Sequence, residues 1–403
     1  MEKEVTIALV GLGGYGLVYL EGLLDAPKDT AFRIVGGIDP EPHRCTRLPE
    51  LDRMGVPVYA TMEDFYRQHR ADLVIISSPI HKHCQQTCFA LEQGSDVLCE
   101  KPLGATIQEA RQMIETKNRC NKFVAIGYQW SFSKSIQKLK KDIRAGIFGR
   151  PVRLKTIALW PRDEQYYHRN NWAGKLRDES GAWVLDSPAN NALAHYLHNM
   201  FYILGREIDQ SAQPATVTAE LYRANDIENY DTVASRIYTE NGVEILFYGS
   251  HAVENQHGPI IQYEFEKATV SYAGLFSEMV VRFKDGSQRS YGCPDDEQVK
   301  KMWDSIKAVR TRENVVCGPE AASAQTLCIN GMQESMPRIV DFPQELVHEK
   351  GEPGKRLHYV SGLEEGLIKC FRHNKLASEL EFEWSKPGKE VDLRNYEKFD
   401  PGF

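Results

Sequence analysis

Gly11-Leu12-Gly13-Gly14-Tyr15-Gly16 is the stretch on which the fold turns. It follows the apolar run Val5–Val10, which reads as a buried strand, and precedes Leu17–Leu24, which reads as a helix. In a G-x-G-x-x-G turn each glycine serves a separate purpose. The first gives a tight bend, the second leaves room for a pyrophosphate against the backbone, and the third lets helix pack closely on strand. The phosphates then rest on the free N–H groups and positive dipole end of the helix. Gly11, Gly13, Gly14, Tyr15 and Gly16 are therefore candidate contacts for a dinucleotide. A second apolar run, Phe32–Ile38, ends in Asp39. A carboxylate at that offset holds the ribose hydroxyls of an adenosine and repels a 2′-phosphate. NAD is favoured over NADP, although Arg44 lies close by in sequence.

The chain has 403 residues, room for two domains and a sizeable core. A formal net charge of −7 leaves no basic footprint, which argues against nucleic acid as a main partner. No apolar run reaches membrane-spanning length. Met1-Glu2-Lys3-Glu4 runs straight into the first strand and leaves no room for a signal peptide. The nine cysteines show no paired framework, so reduced thiols and a cytoplasmic location are expected.

Residues 1–125 alternate short apolar runs with amphipathic stretches, as βαβ units do. Strands are expected at Val5–Val10, Phe32–Ile38, Val56–Tyr59, Leu73–Ser77, Val97–Glu100 and Phe123–Gly127, with helices near Met62–His69, Cys84–Gln93 and Thr106–Lys117. Thr106 with Glu109 forms a capping box. This is the pattern of a doubly wound parallel sheet. Residues 126–403 read differently: a helix at Ser133–Ala145, then β-rich runs from Val152 to Phe283, then a helix near Pro319–Met336. A large open, mostly antiparallel sheet in a second α+β domain is expected. The charged, proline-containing tail from about Phe342 is expected to be mostly irregular and packed on a neighbour.

Cys99-Glu100-Lys101-Pro102 ends the fifth strand, and ligands of open α/β sheets bind at the carboxyl ends of strands. Lys101 would then project toward the nicotinamide, where it can donate to a substrate hydroxyl or, with its pKa lowered by burial, take the proton. Gly11–Gly16, Asp39, Ser78-Pro79-Ile80-His81-Lys82-His83, Glu100-Lys101-Pro102, Gly127-Tyr128-Gln129-Trp130, Gly149-Arg150-Pro151-Val152 and Tyr166 to Gly174 together resemble the glucose–fructose oxidoreductase / inositol dehydrogenase (Gfo/Idh/MocA) family. The resemblance covers most of the first ~340 residues. It implies a Rossmann domain followed by an α/β domain whose open sheet often mediates dimers or tetramers. It also implies NAD(P)-dependent oxidation or reduction, mostly of sugars, cyclitols and their derivatives. By the same resemblance Ser78, Pro79, His83 and Gln129 line the cofactor, and Glu100 and Lys101 flank the nicotinamide. Ile80 stands where the family usually has Asn.

Family members commonly carry an Asp in the second domain with a His, or sometimes Tyr, four residues later. Asp186 matches, but the later position is Asn190, which has no proton to exchange near neutral pH and can only orient a hydroxyl. Proton transfer then falls to Lys101 tuned by Asp186, or to a histidine. With all three on one helix, His198 points about 80° from Asn190 and His195 about 140°, so His198 is the better placed. His168 is a third histidine candidate. A metal on His195-x-x-His198 with Asp186 lacks a third well-placed ligand, and none is expected. Trp160, Arg162, Tyr167 and Trp172, with His195, mix flat rings and polar groups in a way that suits a carbohydrate.

Three functions fit these residues. The first is a plain NAD-dependent sugar or cyclitol dehydrogenase. The second is a glycoside-processing enzyme that uses tightly bound NAD in a transient oxidation–elimination cycle. The third is a non-catalytic NAD-sensing regulator, against which Lys101 and Asp186 argue.

Overall fold

The computed structural model describes residues 3–27 and 30–401. Met1 and Glu2, the start of the segment read as too short for a leader, lie outside the described residues. Six strands, β1 (Val5–Val10), β2 (Phe32–Ile38), β3 (Val58–Tyr59), β4 (Leu73–Ile76), β5 (Asp96–Cys99) and β6 (Val124–Ile126), form a parallel sheet in the order β3-β2-β1-β4-β5-β6. This is the doubly wound order, whose reversal between β1 and β4 opens a crevice at the strands' carboxyl ends. Continuous apolar runs such as Leu73–Ile76 are buried because helices cover both faces of a parallel sheet. The capping box at Thr106 forms and starts the helix Ile107–Cys120.

The second sheet has ten strands. In chain order they begin with β7 (Pro151–Leu159), β8 (Pro214–Arg223), β9 (Thr232–Thr239), β10 (Glu244–Ser250), β11 (His257–Phe265), β12 (Ala268–Ala273), β13 (Val280–Phe283), β14 (Gln288–Ser290) and β15 (Val340–Asp341). Their order is β14-β13-β12-β11-β7-β10-β9-β8-β15, with Val391–Asp392 added beside β8. Pairing is antiparallel except at β7–β10 and β8–β15. One face carries the helices Ala194–Ile203 and Pro319–Ser335. The second of these lies close because Gly331 has no Cβ; one there would stand 2.5 Å from Val217.

Two parts of the expected organisation are refined. The tail is irregular over more than half of its length, as expected, but it carries regular elements as well. It forms the hairpin Val347–Lys350 with Leu357–Val360, and the helix Leu363–His373. Its charge hides a helical stripe of Leu363, Leu367, Cys370 and Phe371, with Glu364, Glu365, Lys369 and Arg372 between them. The second refinement concerns the open sheet face. That stripe packs on Ile157, Leu159, Leu246 and Tyr248, so the chain's own tail covers β7 and β10. Lys155 is drawn into this contact and caps the end of the tail helix through Phe371 O and Asn374 Oδ1, at 2.9 and 2.8 Å.

A helix not read from the sequence, Lys300–Thr311, returns to the first sheet. Trp303 packs near Phe32 and Arg312 pairs with Asp96 at 2.7 Å. The first unit is thus completed by a segment that lies beyond most of the second sheet in the chain.

Candidate active site

The glycine turn is built as a phosphate cradle. Gly11 has φ +82°, and a Cβ there would meet Ser77 backbone atoms at 3.0 Å. A Cβ on Gly16 would sit 1.9 Å from Gly11 O, so only glycine closes the turn. Gly13 faces open space, with Arg44 Cβ at 3.8 Å from a notional Cβ. Gly14 is left-handed at φ +55°, and the helix Gly16–Leu24 starts directly after. Asp39 follows β2 and accepts from Leu12 N and Glu41 N, each at 2.8 Å, which fixes its carboxylate at the mouth of the cradle. Each carboxylate oxygen keeps a lone pair for a ribose hydroxyl. Arg44, the group that would favour a 2′-phosphate, is paired with Glu41 at 2.8 Å. These residues fit an NAD.

The other expected cofactor residues frame the cradle. Tyr15 donates to Gln129 Oε1 at 3.3 Å, tying the turn to the start of the second domain. Ser78 and Pro79 follow β4, beside the cradle floor. His83 is buried, with ring nitrogens 2.7 Å from Pro102 O and 2.9 Å from Ser78 O, so it staples two loops together.

Glu100 is buried beneath Lys101 and organises it. Its carboxylate accepts from Tyr19 Oη, from Lys301 Nζ and, at 3.0 Å, from the Lys101 backbone N–H. Burial alone would raise its pKa; the Lys301 ammonium and these hydrogen bonds hold it below the ordinary range. Gly127 leaves room for this carboxylate, since a Cβ there would stand 2.5 Å from Glu100 Oε1.

Lys101 Nζ reaches across to the second domain and donates to Asn191 O at 3.0 Å and Asn191 Oδ1 at 3.2 Å. Asn191 Nδ2 in turn donates to Asp186 Oδ1 at 2.7 Å, and Gly174 N donates to Asp186 Oδ2 at 2.7 Å. Burial, only partly opposed by Glu100, brings the Lys101 pKa down to about 8. Burial raises that of Asp186, against the pull of Arg169, whose guanidinium lies 3.9 Å away.

The remaining candidates divide. Asn190 is fully buried: it donates to Leu185 O at 3.2 Å and accepts from Gln325 at 3.3 Å. Leu185 has φ +51°, costly for a bulky residue, so Asn190 braces a strained turn that delivers Asp186. His198 is buried under Tyr128, ring centres 3.9 Å apart, with Ser131 Oγ at 3.0 Å; burial takes its pKa down to about 3. It does not reach the lysine. His195 is partly open, and its pKa falls below the ordinary value through burial and then the Lys101 charge. Its Nδ1 has no partner among the described residues. The helix begins only at Ala194, so the step from Asn190 to the histidines is not helical and the expected angles do not apply. Asn191 meets Lys101, and His195, four residues further on, lies within reach of its charge. Asn191 had no separate signal beyond the spacing to His195.

Trp160 follows β7, its ring 5.8 Å from Tyr196 and its N–H on Gly258 O at 3.3 Å. Arg162 and Trp172 stand near it around Tyr166 and Arg169. Tyr167 turns away, its buried hydroxyl without a partner among the described residues, into a separate cavity that His168 also lines. Lys301, some two hundred residues from Glu100, had no sequence signal at all.

Fold and cradle together define a dinucleotide-binding Rossmann unit joined to a second unit built on a large, mostly antiparallel sheet. Residues 5–128 match the model of the oxidoreductase family with NAD-binding Rossmann fold (GFO_IDH_MocA). The match is confined to this domain, about a third of the chain. The chain is 32% identical over 143 residues to the rhizopine catabolism protein MocA of Rhizobium meliloti, 36% of this chain and 43% of that one. It is 26% identical over 224 residues to the inositol 2-dehydrogenase of Rubrobacter xylanophilus, 55% and 59% of the two chains. The chain thus spans about half the length of these curated relatives. The WlbA dehydrogenase of Bordetella pertussis, solved in complex with NADH and UDP-GlcNAcA, shares the fold with a TM-score of 0.67 and 18% identity, over 82% of this chain and 97% of that one. Among the described residues no helix is long and apolar enough to cross a membrane.

Proposed function

We propose that the protein is an NAD-dependent dehydrogenase acting on a secondary alcohol, or its ketone, of a sugar, cyclitol or sugar derivative. Bound NAD supplies the hydride acceptor at nicotinamide C4; the cradle and Asp39 would hold its pyrophosphate and ribose. Lys101 manages the hydroxyl proton. The carrying observation is its placement: Glu100 fixes its backbone, Asn191 fixes its ammonium, and its pKa is brought down to about 8. A neutral Lys101 accepts the proton on oxidation, and the ammonium returns it on reduction. Asn191 orients the lysine, and the neutral His195 imidazole orients the substrate hydroxyl or shares its proton. Trp160, Arg162 and Trp172 would cover and read the ring.

The names of the relatives support this reading, since one is an inositol 2-dehydrogenase. Association into a homodimer or homotetramer, expected from the resemblance, is left the outer face of β12–β14, none of whose residues packs on the tail's apolar cluster.

The test is NADH formation at 340 nm with a panel of free sugars, cyclitols and aryl glycosides. Wild type should accumulate NADH with a free sugar or cyclitol. Lys101→Met should lose about 10²–10⁴-fold in kcat with NADH affinity kept. Near-full turnover in that variant contradicts the assignment. Aglycone release without net NADH favours the oxidation–elimination cycle instead.

A further inference from the structure

The wall of the cleft next to Asp186 carries more positive charge than a neutral sugar needs. Arg169 stands 3.7 Å over the Tyr166 ring and 5.4 Å from that of Trp172. Arg162 lies 5.1 Å from the same Tyr166 ring and 5.7 Å from that of Trp160. Both guanidiniums thus share one aromatic plate. Through Asp186 and Asn191 that plate is joined to Lys101.

Two of the carboxylates nearby are paired with cations, and the third caps a helix. Asp186 is buried, and each oxygen accepts a hydrogen bond, from Gly174 N and from Asn191. Asp163 caps the short helix Glu164–Tyr167 by accepting from Tyr166 N at 3.0 Å. Glu164 is held by Arg356 at 3.2 Å and by Gly354 N at 2.6 Å. Arg162 donates to Pro161 O at 3.0 Å and hydrogen-bonds the Tyr166 side chain, and among the described residues it has no carboxylate within 4 Å. An open hollow of about 650 Å³ beside it is lined by Arg162, Asp163, Tyr166 and Lys355.

A guanidinium stacked on an aromatic ring is pre-organised, and its free N–H fork matches a carboxylate with two parallel hydrogen bonds. A hydroxyl offers it only one weaker acceptor. Arg169 and Lys101 already face the buried Asp186, and Arg162 on the same aromatic plate adds a positive charge beyond them, which favours an anion.

We infer that the substrate is a sugar acid, its carboxylate bound by Arg162 with help from Arg169 while its reacting carbon stands at Lys101. This rests on the reading that the cleft beside Lys101 takes a sugar-type substrate, and it names which kind.

Calorimetric titration of the NADH-saturated full chain tests binding without turnover. The ligands are matched sets: D-glucose, D-glucuronate and glucose 6-phosphate, then D-galactose and D-galacturonate. In at least one set the uronate should bind about ten- to hundredfold tighter than the neutral sugar, the range of a charge-assisted hydrogen bond. In Arg162→Gln that ratio should fall toward one, with NADH still bound as proof of folding. Uronates no tighter than neutral sugars in every set, a preference for the phosphate, or a ratio that survives the variant each overturns the inference. Turnover assayed on the same sugars separates the two readings. Turnover without acid preference removes this inference alone; acid-selective binding without turnover removes the dehydrogenase reading.

Discussion

The cofactor side and the substrate side of this cleft are built by opposite means. The cradle is local: turn, helix and Asp39 lie within thirty residues, and Gly11 and Gly16 are dictated by backbone close at hand. The substrate side is assembled from distant pieces. Lys101 comes from β5, Asn191 and His195 from the approach to one helix, Arg162 and Arg169 from the loop after β7, and that loop is held by the tail hairpin. Local construction tolerates little change at single positions, because backbone meets backbone. Distributed construction fails by degrees, because each piece only orients the next.

Substitutions should expose this contrast. The largest effect is expected at Gly16. Gly16→Ala puts a Cβ 1.9 Å from Gly11 O, so the turn must open. NADH affinity should fall by more than about a hundredfold, and stability by about 1–3 kcal/mol; fluorescence titration and thermal melting check both. An unchanged Kd would show that the cradle is looser than its geometry.

Lys301→Met comes next, since it leaves Glu100 buried without its ammonium. Removing one partner of a buried pair costs about 3–5 kcal/mol, so denaturant unfolding should show a large loss. Glu100→Gln added to it should restore part. Stability equal to wild type would mean that Glu100 is not held as an anion.

On the substrate side the expected effects are smaller. Glu164 joins the loop to Gly354 N, Arg356 and His358 of the tail. Glu164→Ala should raise the KM for sugar about tenfold, the worth of one charge-assisted hydrogen bond, and leave the NADH Kd alone. A change in NADH binding instead would mean that the two sides are not separable.

The same contrast explains what can be read from the chain in advance. Strands and cradle are legible because apolar runs and glycines carry their own meaning. Lys101 is legible because it ends a strand at the sheet's carboxyl edge. Asn191 is not, because Asp186 suggests the wrong register and the residues between it and Ala194 are turns, not helix. His195 reads as secondary to His198 for the same reason. Lys301 and the tail hairpin act through tertiary contacts alone, and no local pattern marks them.

The most direct measurement is the pH dependence of kcat/KM for substrate oxidation in wild type, Asn191→Asp and His195→Asn. Oxidation needs neutral Lys101, whose pKa is brought down to about 8. The rate should therefore rise about tenfold per pH unit below that value and level off above it. A carboxylate at position 191 stabilises the ammonium, so in Asn191→Asp the rise should move up by about one unit. In His195→Asn it should stay in place while the plateau drops. A rise near the ordinary histidine range that ignores Asn191→Asp and vanishes in His195→Asn would contradict the account, and would make His195 the proton carrier.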